Sequence, residues 1–338
     1  GRRMRRHTLL IGGAGKRSDW PLALRLFEDM APRALRRDAV AFNVALSACE
    51  RGRAWDRAQE LLVRMRRDAL RPDLVSWNTT MTACQKAGRW ELALCAFADL
   101  PRRRWVPDAF SFSAAASACA QGAHWRGALS VLADAEERGG GPAAEAVGAV
   151  ISACGRAARW EHAALVLAGE RSRRGQADVV MCNATISACE RGAQWTFALV
   201  LLDQVRRVFL QATVVTWNAA ISACEKGQQW AKALDLLREV PRRRLRPNVV
   251  SYNAAAAACE RARRWSEAMD LLRGLSAPGA PVGPADGISR AVLVSACLKG
   301  GQWAQARGVV AGSPGGLAAD AIAHAATLAA ATLGHGDP

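Results

Sequence analysis

A cysteine followed six residues later by a tryptophan recurs eight times along this chain. The pairs are Cys49/Trp55, Cys84/Trp90, Cys119/Trp125, Cys154/Trp160, Cys189/Trp195, Cys224/Trp230, Cys259/Trp265 and Cys297/Trp303. The first seven cysteines stand 35 residues apart, and only the last step lengthens to 38. Upstream, Ala14/Trp20 keeps the phase with the cysteine replaced. A fixed period of roughly 20–50 residues is the signature of a solenoid, whose units bury their apolar faces only against their neighbours. The chain therefore reads as one array, and its 338 residues do not count globular domains.

Val214–Asn248 serves as the type unit. Val215, Ala219, Ile221, Ala223 and Cys224 fall at helical spacing and predict a first helix, interrupted at Gly227. Trp230, Ala233, Leu234 and Leu237 predict a second, closed by Pro241, the Arg242–Arg244 run and Pro247. In this phase the fold class is all-α, and nine helix–turn–helix units tile the chain. They run 4–38, 39–73, 74–108, 109–143, 144–178, 179–213, 214–248, 249–286 and 287–320. Residues 321–338 read as a truncated tenth unit or tail. The Pro/Gly-rich segment 277–284 is a lengthened loop, and residues 139–142 are a softer joint.

The tryptophan opens the second helix, and its strict period predicts a wedge in the core between helices and adjoining repeats. The cysteines recur too far apart for a metal cluster. There is no C-x-x-C, and the five histidines do not fall at ligand spacing, so no metal or cofactor is expected. Each repeat cysteine reads as a small buried hydrophobe in a reducing compartment, with Cys95 and Cys182 as packing residues outside the phase. No apolar run is long enough to span a membrane. The segment Gly12–Arg17 resembles a phosphate loop but lacks the first glycine and the hydroxyl residue after the lysine. No catalytic constellation appears, so no enzyme activity is expected.

A net charge of +16 favours a polyanionic partner, nucleic acid ahead of an anionic membrane surface. One cation stands two residues after each repeat cysteine: Arg51, Lys86, Arg156, Arg191, Lys226, Arg261 and Lys299, with Lys16 after Ala14 and Gln121 breaking the row. The series predicts a stripe that binds phosphate. A helix C-terminus also favours positive charge, and the two readings are compatible. The arginine runs at 36–37, 66–67, 102–104, 173–174 and 242–244 are solvated loop charge.

Unit starts read Val-Val-Thr-Trp-Asn (214–218), Leu-Val-Ser-Trp-Asn (74–78) and Val-Val-Ser-Tyr-Asn (249–253), and unit ends read Arg-Pro-Asp (71–73) or Arg-Pro-Asn (246–248). This pattern resembles the pentatricopeptide repeat family, P class, and covers about nine-tenths of the chain. The tetratricopeptide pattern is absent. Departures are the tryptophan at the seventeenth residue, where the family has leucine, and weak fourth, fifth and ninth units. The resemblance implies a right-handed α-solenoid superhelix in which the fifth and last residues of a unit together read one RNA base. The pairs here are Thr8/Asp38, Asn43/Asp73, Asn78/Asp108, Ser113/Ala143, Gly148/Asp178, Asn183/Thr213, Asn218/Asn248, Asn253/Asp286 and Ala291/Asp320. The implied site is 5′-G-U-U-n-n-n-(C/U)-U-n-3′. The second residue packs on the base faces, a role that Val40, Val75, Phe110, Val180, Val215, Val250 and Ile288 fit and Arg5 and Glu145 do not.

Asparagine favours helix caps, but the fifth residue falls inside the expected helix, where asparagine is a mediocre former. Its recurrence at five of nine units argues for recognition. The expected partner is single-stranded RNA, with further protein partners in RNA processing, no membrane and a monomeric state. The expected role is in organellar RNA processing, stability or translation, in a chloroplast rather than a mitochondrion. The chain opens at Gly1 with a basic start too short for a transit peptide and ends in mid-pattern, so it is expected to be a piece of a longer protein. The rival readings are a protein-binding helical scaffold and the RNA-binding arm of a larger RNA-processing enzyme.

Overall fold

The computed structural model describes residues 2–17, 19–30, 37–138, 141–174, 178–207, 212–276, 287–302 and 305. Among them are seventeen helices and no strand. The first helices are α1 (Arg2–Lys16), α3 (Ala39–Arg51), α5 (Leu74–Lys86), α7 (Ala109–Gln121), α9 (Ala144–Arg156), α11 (Val179–Arg191), α13 (Val214–Lys226), α15 (Val249–Arg261) and α17 (Gly287–Lys299). The second helices each open on the repeat tryptophan: α2 (Trp20–Glu28), α4 (Trp55–Arg67), α6 (Trp90–Arg102), α8 (Trp125–Glu137), α10 (Trp160–Arg174), α12 (Trp195–Arg207), α14 (Trp230–Arg242) and α16 (Trp265–Ser276).

The chain divides into two compact units, Gly1–Val166 and Leu167–Pro338. In the first, α1, α3, α5, α7 and α9 pack in succession, and α2, α4, α6 and α8 each bridge their own first helix and the next. In the second, α11, α13, α15 and α17 pack in succession, bridged likewise by α12, α14 and α16. Among the described residues, no helix contacts another beyond its near neighbours. The fold is an all-α solenoid.

The cysteine–tryptophan spacing is the length of one turn. The Cys224 carbonyl accepts the N–H of Gln229 at 2.8 Å, and the same bond closes the turn after Cys49, Cys84, Cys119, Cys154, Cys189, Cys259 and Cys297. The residue before that donor reverses the chain in the left-handed region, at φ 57° for Gln228 and 54° for Ala193. The tryptophan then begins the next helix. The cysteine side chains are buried and unbridged. Burial pushes the thiols up, to about 12 for Cys49 and about 11 for Cys224, so they stay protonated and inert. Cys182 is buried as well, whereas Cys95 is exposed on α6, contrary to the sequence expectation of a packing residue.

The tryptophans also depart from expectation. All eight from Trp20 to Trp265 are half-buried rather than core; Trp303 lies outside the described residues. Seven of them lie beside the turn of the following repeat: Trp20, Trp90, Trp195 and Trp265 against a turn glycine, and Trp55, Trp125 and Trp230 under an arginine. The buried aromatics are Phe27 on α2 and, at the fourth residue of the first helix, Phe42, Trp77, Phe112 and Trp217; Cys182 occupies the same place on α11. The tryptophan–turn contact takes two forms. Where the turn carries glycine, the indole fills the space of its missing side chain: a Cβ on Gly227 would lie 2.3 Å from Trp195 Cδ1, and one on Gly52 would lie 2.1 Å from Trp20 Cδ1. Where it carries Ala87, Ala157 or Ala262, an arginine two residues on covers the ring: Arg89 over Trp55 at 4.9 Å, Arg159 over Trp125 at 5.0 Å, and Arg264 over Trp230 at 4.7 Å.

Gly227→Ala is therefore expected to displace Trp195 and cost ~1–3 kcal/mol by overpacking. Adding Gln229→Arg converts the turn to the arginine form and should recover part of that loss. Urea unfolding of both variants checks it.

Candidate nucleic-acid interface

At about 100° per residue, the second, fifth, ninth and thirteenth residues of a unit fall within roughly 80° of arc on the first helix. The structure uses that face as the open one. On α13 the buried residues are Thr216, Trp217, Ala219, Ala220, Ile221, Ala223 and Cys224, which leaves Val215, Asn218, Ser222 and Lys226 on the uncovered side. Six of the expected stacking residues, Val40, Val75, Phe110, Val180, Val215 and Val250, are 56–66% exposed, although nothing polar requires an apolar side chain there. The Ile288 side chain lies outside the described residues. Between α1 and α3 this face forms an open cavity of ≈ 330 Å³ lined by Lys16, Val40, Asn43, Ser47 and Arg51 among others.

The last residue of a unit is the N-cap of the next first helix. Asp38, Asp73, Asp108 and Asn248 each accept a backbone N–H from their own helix, at 2.8 Å from Ser76 to Asp73 and from Ser111 to Asp108. The fifth residue of the same unit reaches the cap. Asn78 Nδ2 donates to Asp108 Oδ1 at 3.1 Å, Asn43 Nδ2 to Asp73 Oδ2 at 3.1 Å, and Asn218 Nδ2 to Asn248 Oδ1 at 3.1 Å. The paired residues, 30 positions apart, are thus in direct contact.

A third member of this group was not evident from the sequence. The Ser or Thr three residues after the cap donates its hydroxyl to the asparagine Oδ1: Ser76 to Asn43, Ser111 to Asn78, Thr216 to Asn183, Ser251 to Asn218 and Ser289 to Asn253, all at 2.6–2.7 Å. The hydroxyl also lies 2.8 Å from Asp108 Oδ1 in its unit, and its one hydrogen serves one acceptor at a time. The clue in the sequence was the recurrent Ser or Thr at the third residue, a capping-box place. Here it fixes which way the asparagine amide points: oxygen inward to the hydroxyl, nitrogen toward the cap.

Asp108 shows the electrostatic result. Partial burial would raise its carboxyl, but donation from the Ser111 backbone and hydroxyl and from Asn78 outweighs this and holds it below the usual carboxylate range. It is therefore an anion at neutral pH. Its Oδ1 accepts the Ser111 backbone N–H and the Asn78 amide, with the Ser111 hydroxyl 2.8 Å away, and Oδ2 is left open beside the second N–H of Asn78. In Asn248 the oxygen accepts the Asn218 amide and the Ser251 N–H in the same way, with the Ser251 hydroxyl 3.0 Å away, which leaves the amide N–H groups open.

Other pairs are less complete. Thr8 donates its hydroxyl to Met4 O at 3.0 Å, within its own helix, rather than to Asp38. Ser113 has Ala143 as its counterpart and Asp178 has Gly148, so neither has a side-chain polar partner in its pair. Asp178 caps α11 at 3.3 Å from Val180 N. Asn183 is held by Thr216, and Thr213 bonds Thr216 in a capping box. Asp286, counterpart of Asn253, lies outside the described residues.

The cations lie at the far end of the same face, and they divide. Lys86 pairs with Glu50 at 2.7 Å, Lys226 with Glu190 at 2.9 Å, Arg261 with Glu225 at 3.1 Å and Lys299 with Glu260 at 2.7 Å. Each glutamate is the twelfth residue of the preceding repeat, a pattern that sequence reasoning missed. Lys16, Arg51, Arg156 and Arg191 make no ion pair among the described residues. Glycine or alanine fills the twelfth place before Arg51, Arg156 and Arg191, at Gly15, Ala120 and Gly155.

Removing the organising hydroxyl with Ser111→Ala is expected to cost about 0.5–1.5 kcal/mol at neutral pH. A carboxylate held low stabilises the fold above its unfolded-state value, and loses that contribution as pH falls through its folded value. The gap between Ser111→Ala and the parent should therefore narrow at pH 3, which urea unfolding at the two pH values measures.

Family models match the chain in several places. The PPR repeat family model matches residues 212–261, the pentatricopeptide repeat domain model matches 25–87 and 169–227, and the PPR repeat model matches 75–104 and 250–276. Together these segments span 25–104 and 169–276, more than half of the 338 residues. No curated protein matches the sequence. Among solved structures, the chain resembles the pentatricopeptide repeat protein PPR10 in complex with an 18-nt psaJ RNA element, with a TM-score of 0.68 and 15% identity over 98% of this chain. It also resembles the crystal structure of the pentatricopeptide repeat protein PPR10 from maize, with a TM-score of 0.58 and 20% identity over 96% of this chain. The chain spans 53% and 57% of those two chains, about half their length. At these identities the likeness carries the solenoid fold, and the sequence matches carry the family: this chain belongs to the pentatricopeptide repeat family.

Proposed function

We propose that this protein binds single-stranded RNA, with each complete asparagine–cap pair reading the Watson–Crick edge of one base. The observation that carries the reading is the preset polar edge of each pair, standing beside an exposed apolar side chain on one helix face. An exposed valine or phenylalanine offers a surface for a base to pack on, as single-stranded recognition requires. Folding has already oriented the asparagine and the cap, so little side-chain freedom remains to be lost on binding.

The chemistry of each pair follows from which atoms remain open. Asn78/Asp108 presents an amide N–H beside a carboxylate oxygen, which suits a uracil edge with its carbonyl acceptor and N3–H donor. Asn218/Asn248 presents N–H groups at the cap, which suits the unprotonated N3 of cytosine. Asn43/Asp73 carries the same two residue types, with the Asn43 amide shared between both Asp73 oxygens, and is expected to favour uracil as well. PPR10, which shares the fold, was crystallised with RNA. Selectivity is expected to be concentrated at the units with complete pairs and weak where Gly148 and Ala143 stand. The work of the protein in organellar RNA processing, stability or translation, with a chloroplast as the favoured setting, is part of this proposal and rests on family membership.

Asn248→Asp replaces the open donor at the cap with an acceptor. The variant is expected to shift preference at that one base from cytosine toward uracil by about 1–3 kcal/mol, the scale of a good side-chain–base contact. Binding of parent and variant to two RNAs differing at that base measures it. Identical ranking by both proteins would count against base reading at this pair.

A further inference from the structure

The ion pairs at the thirteenth residue place a carboxylate where the RNA backbone would have to come. Lys226, Arg261 and Lys299 each reach back to the twelfth residue of the preceding repeat, Glu190, Glu225 and Glu260, and Lys86 does the same to Glu50. These are not loose surface contacts. The glutamate side chains are only 14–25% exposed, whereas their cationic partners are 35–50% exposed. The Ser295 hydroxyl also donates to Glu260 Oε1 at 2.6 Å. A carboxylate so placed satisfies the cation before any phosphate arrives. Where the twelfth residue is Gly15, Ala120 or Gly155, the next cation has no such partner.

We infer that Glu50, Glu190, Glu225 and Glu260 are built-in competitors of the RNA phosphate, so that the backbone is gripped mainly by the unpaired cations, and that base reading therefore decides more of the affinity in the self-neutralised repeats. The inference rests on the RNA-binding reading and adds a division of labour to it. At the thirteenth place the unpaired cations Lys16, Arg51, Arg156 and Arg191 supply sequence-independent grip. The repeats with paired cations include Asn78/Asp108 and Asn218/Asn248, whose polar pairs are complete. Phosphate binding at Lys86, Lys226, Arg261 or Lys299 would have to exchange a carboxylate for a phosphate, with little net gain in charge pairing. Backbone contacts there would pull weakly, and a mismatched RNA would gain little from them.

The test is salt-dependent binding of a single-stranded oligouridine to parent and variants. Each freed cation should steepen the slope of log K on log salt by about 0.7. Glu190→Gln/Glu225→Gln/Glu260→Gln should thus steepen it by roughly two and tighten binding at ~0.1 M salt roughly tenfold, the combined scale of three exposed ion pairs. Glu161→Gln, a carboxylate at the start of α10, is the control for general charge. A cycle of single variants separates local competition from a diffuse field and does not need the triple variant to fold. Arg261→Gln should cost less affinity in the parent than in a Glu225→Gln background. Equal costs in the two backgrounds, or a parent slope that the triple variant leaves unchanged, would overturn the inference while leaving RNA binding intact. A parent that binds no RNA would overturn both the inference and the function on which it rests.

Discussion

One side chain per junction does two jobs in this solenoid. The last residue of a unit caps the first helix of the next, and the same oxygen anchors the asparagine of its own unit. The capping geometry is set by backbone N–H groups that need a partner at every helix start. The asparagine orientation is then set by the cap and by the hydroxyl three residues on. The hydrogen-bond pattern presented to a base is thus a by-product of starting the next helix. Asp or Asn at the cap leaves helix initiation unchanged and exchanges an open acceptor for open donors.

The rest of the functional face follows from helix geometry. The buried side of the first helices is filled by small residues, with larger ones at the fourth and eighth places such as Phe42 and Leu46 on α3 or Trp217 and Ile221 on α13. The face left over carries the exposed valine, the asparagine, a small ninth residue and the cation. From α3 onward the first helices end in a turn of fixed length, closed on the cysteine carbonyl and, after Cys49, Cys84, Cys119, Cys154, Cys224, Cys259 and Cys297, met by the tryptophan of the preceding repeat. That turn explains why the cysteine and tryptophan are the most visible letters of the sequence although neither belongs to the candidate interface.

Much of this was legible in the sequence because it is local and periodic. The helix starts follow from cap residues and the 35-residue interval, and the exposed second residues follow from an apolar letter that returns on the polar side of a helix. What was not legible depends on contacts between repeats. Trp230 reads as core by type and period, but it is covered by Arg264 of the following repeat, and it ends half-buried. Lys226 and Arg156 occupy the same place in their units, and only the twelfth residue one repeat back separates a paired cation from an unpaired one. Thr8 matches the reading position by number, yet its hydroxyl is turned to Met4 O in the first helix. Cys95 carries no periodic signal at all, and its exposure follows from its place on the outer side of α6.

The central claim is that polar pairs fixed by helix capping choose bases one by one. Selection of bound sequences from a random pool of single-stranded RNA tests it without presupposing a target. The account predicts recovered RNAs with adjacent uracils for Asn43/Asp73 and Asn78/Asp108, then three indifferent positions, then cytosine or uracil for Asn218/Asn248 followed by uracil for Asn253. Recovered RNAs with no base preference at those positions, or with preferences located at the units holding Gly148 and Ala143, would contradict it.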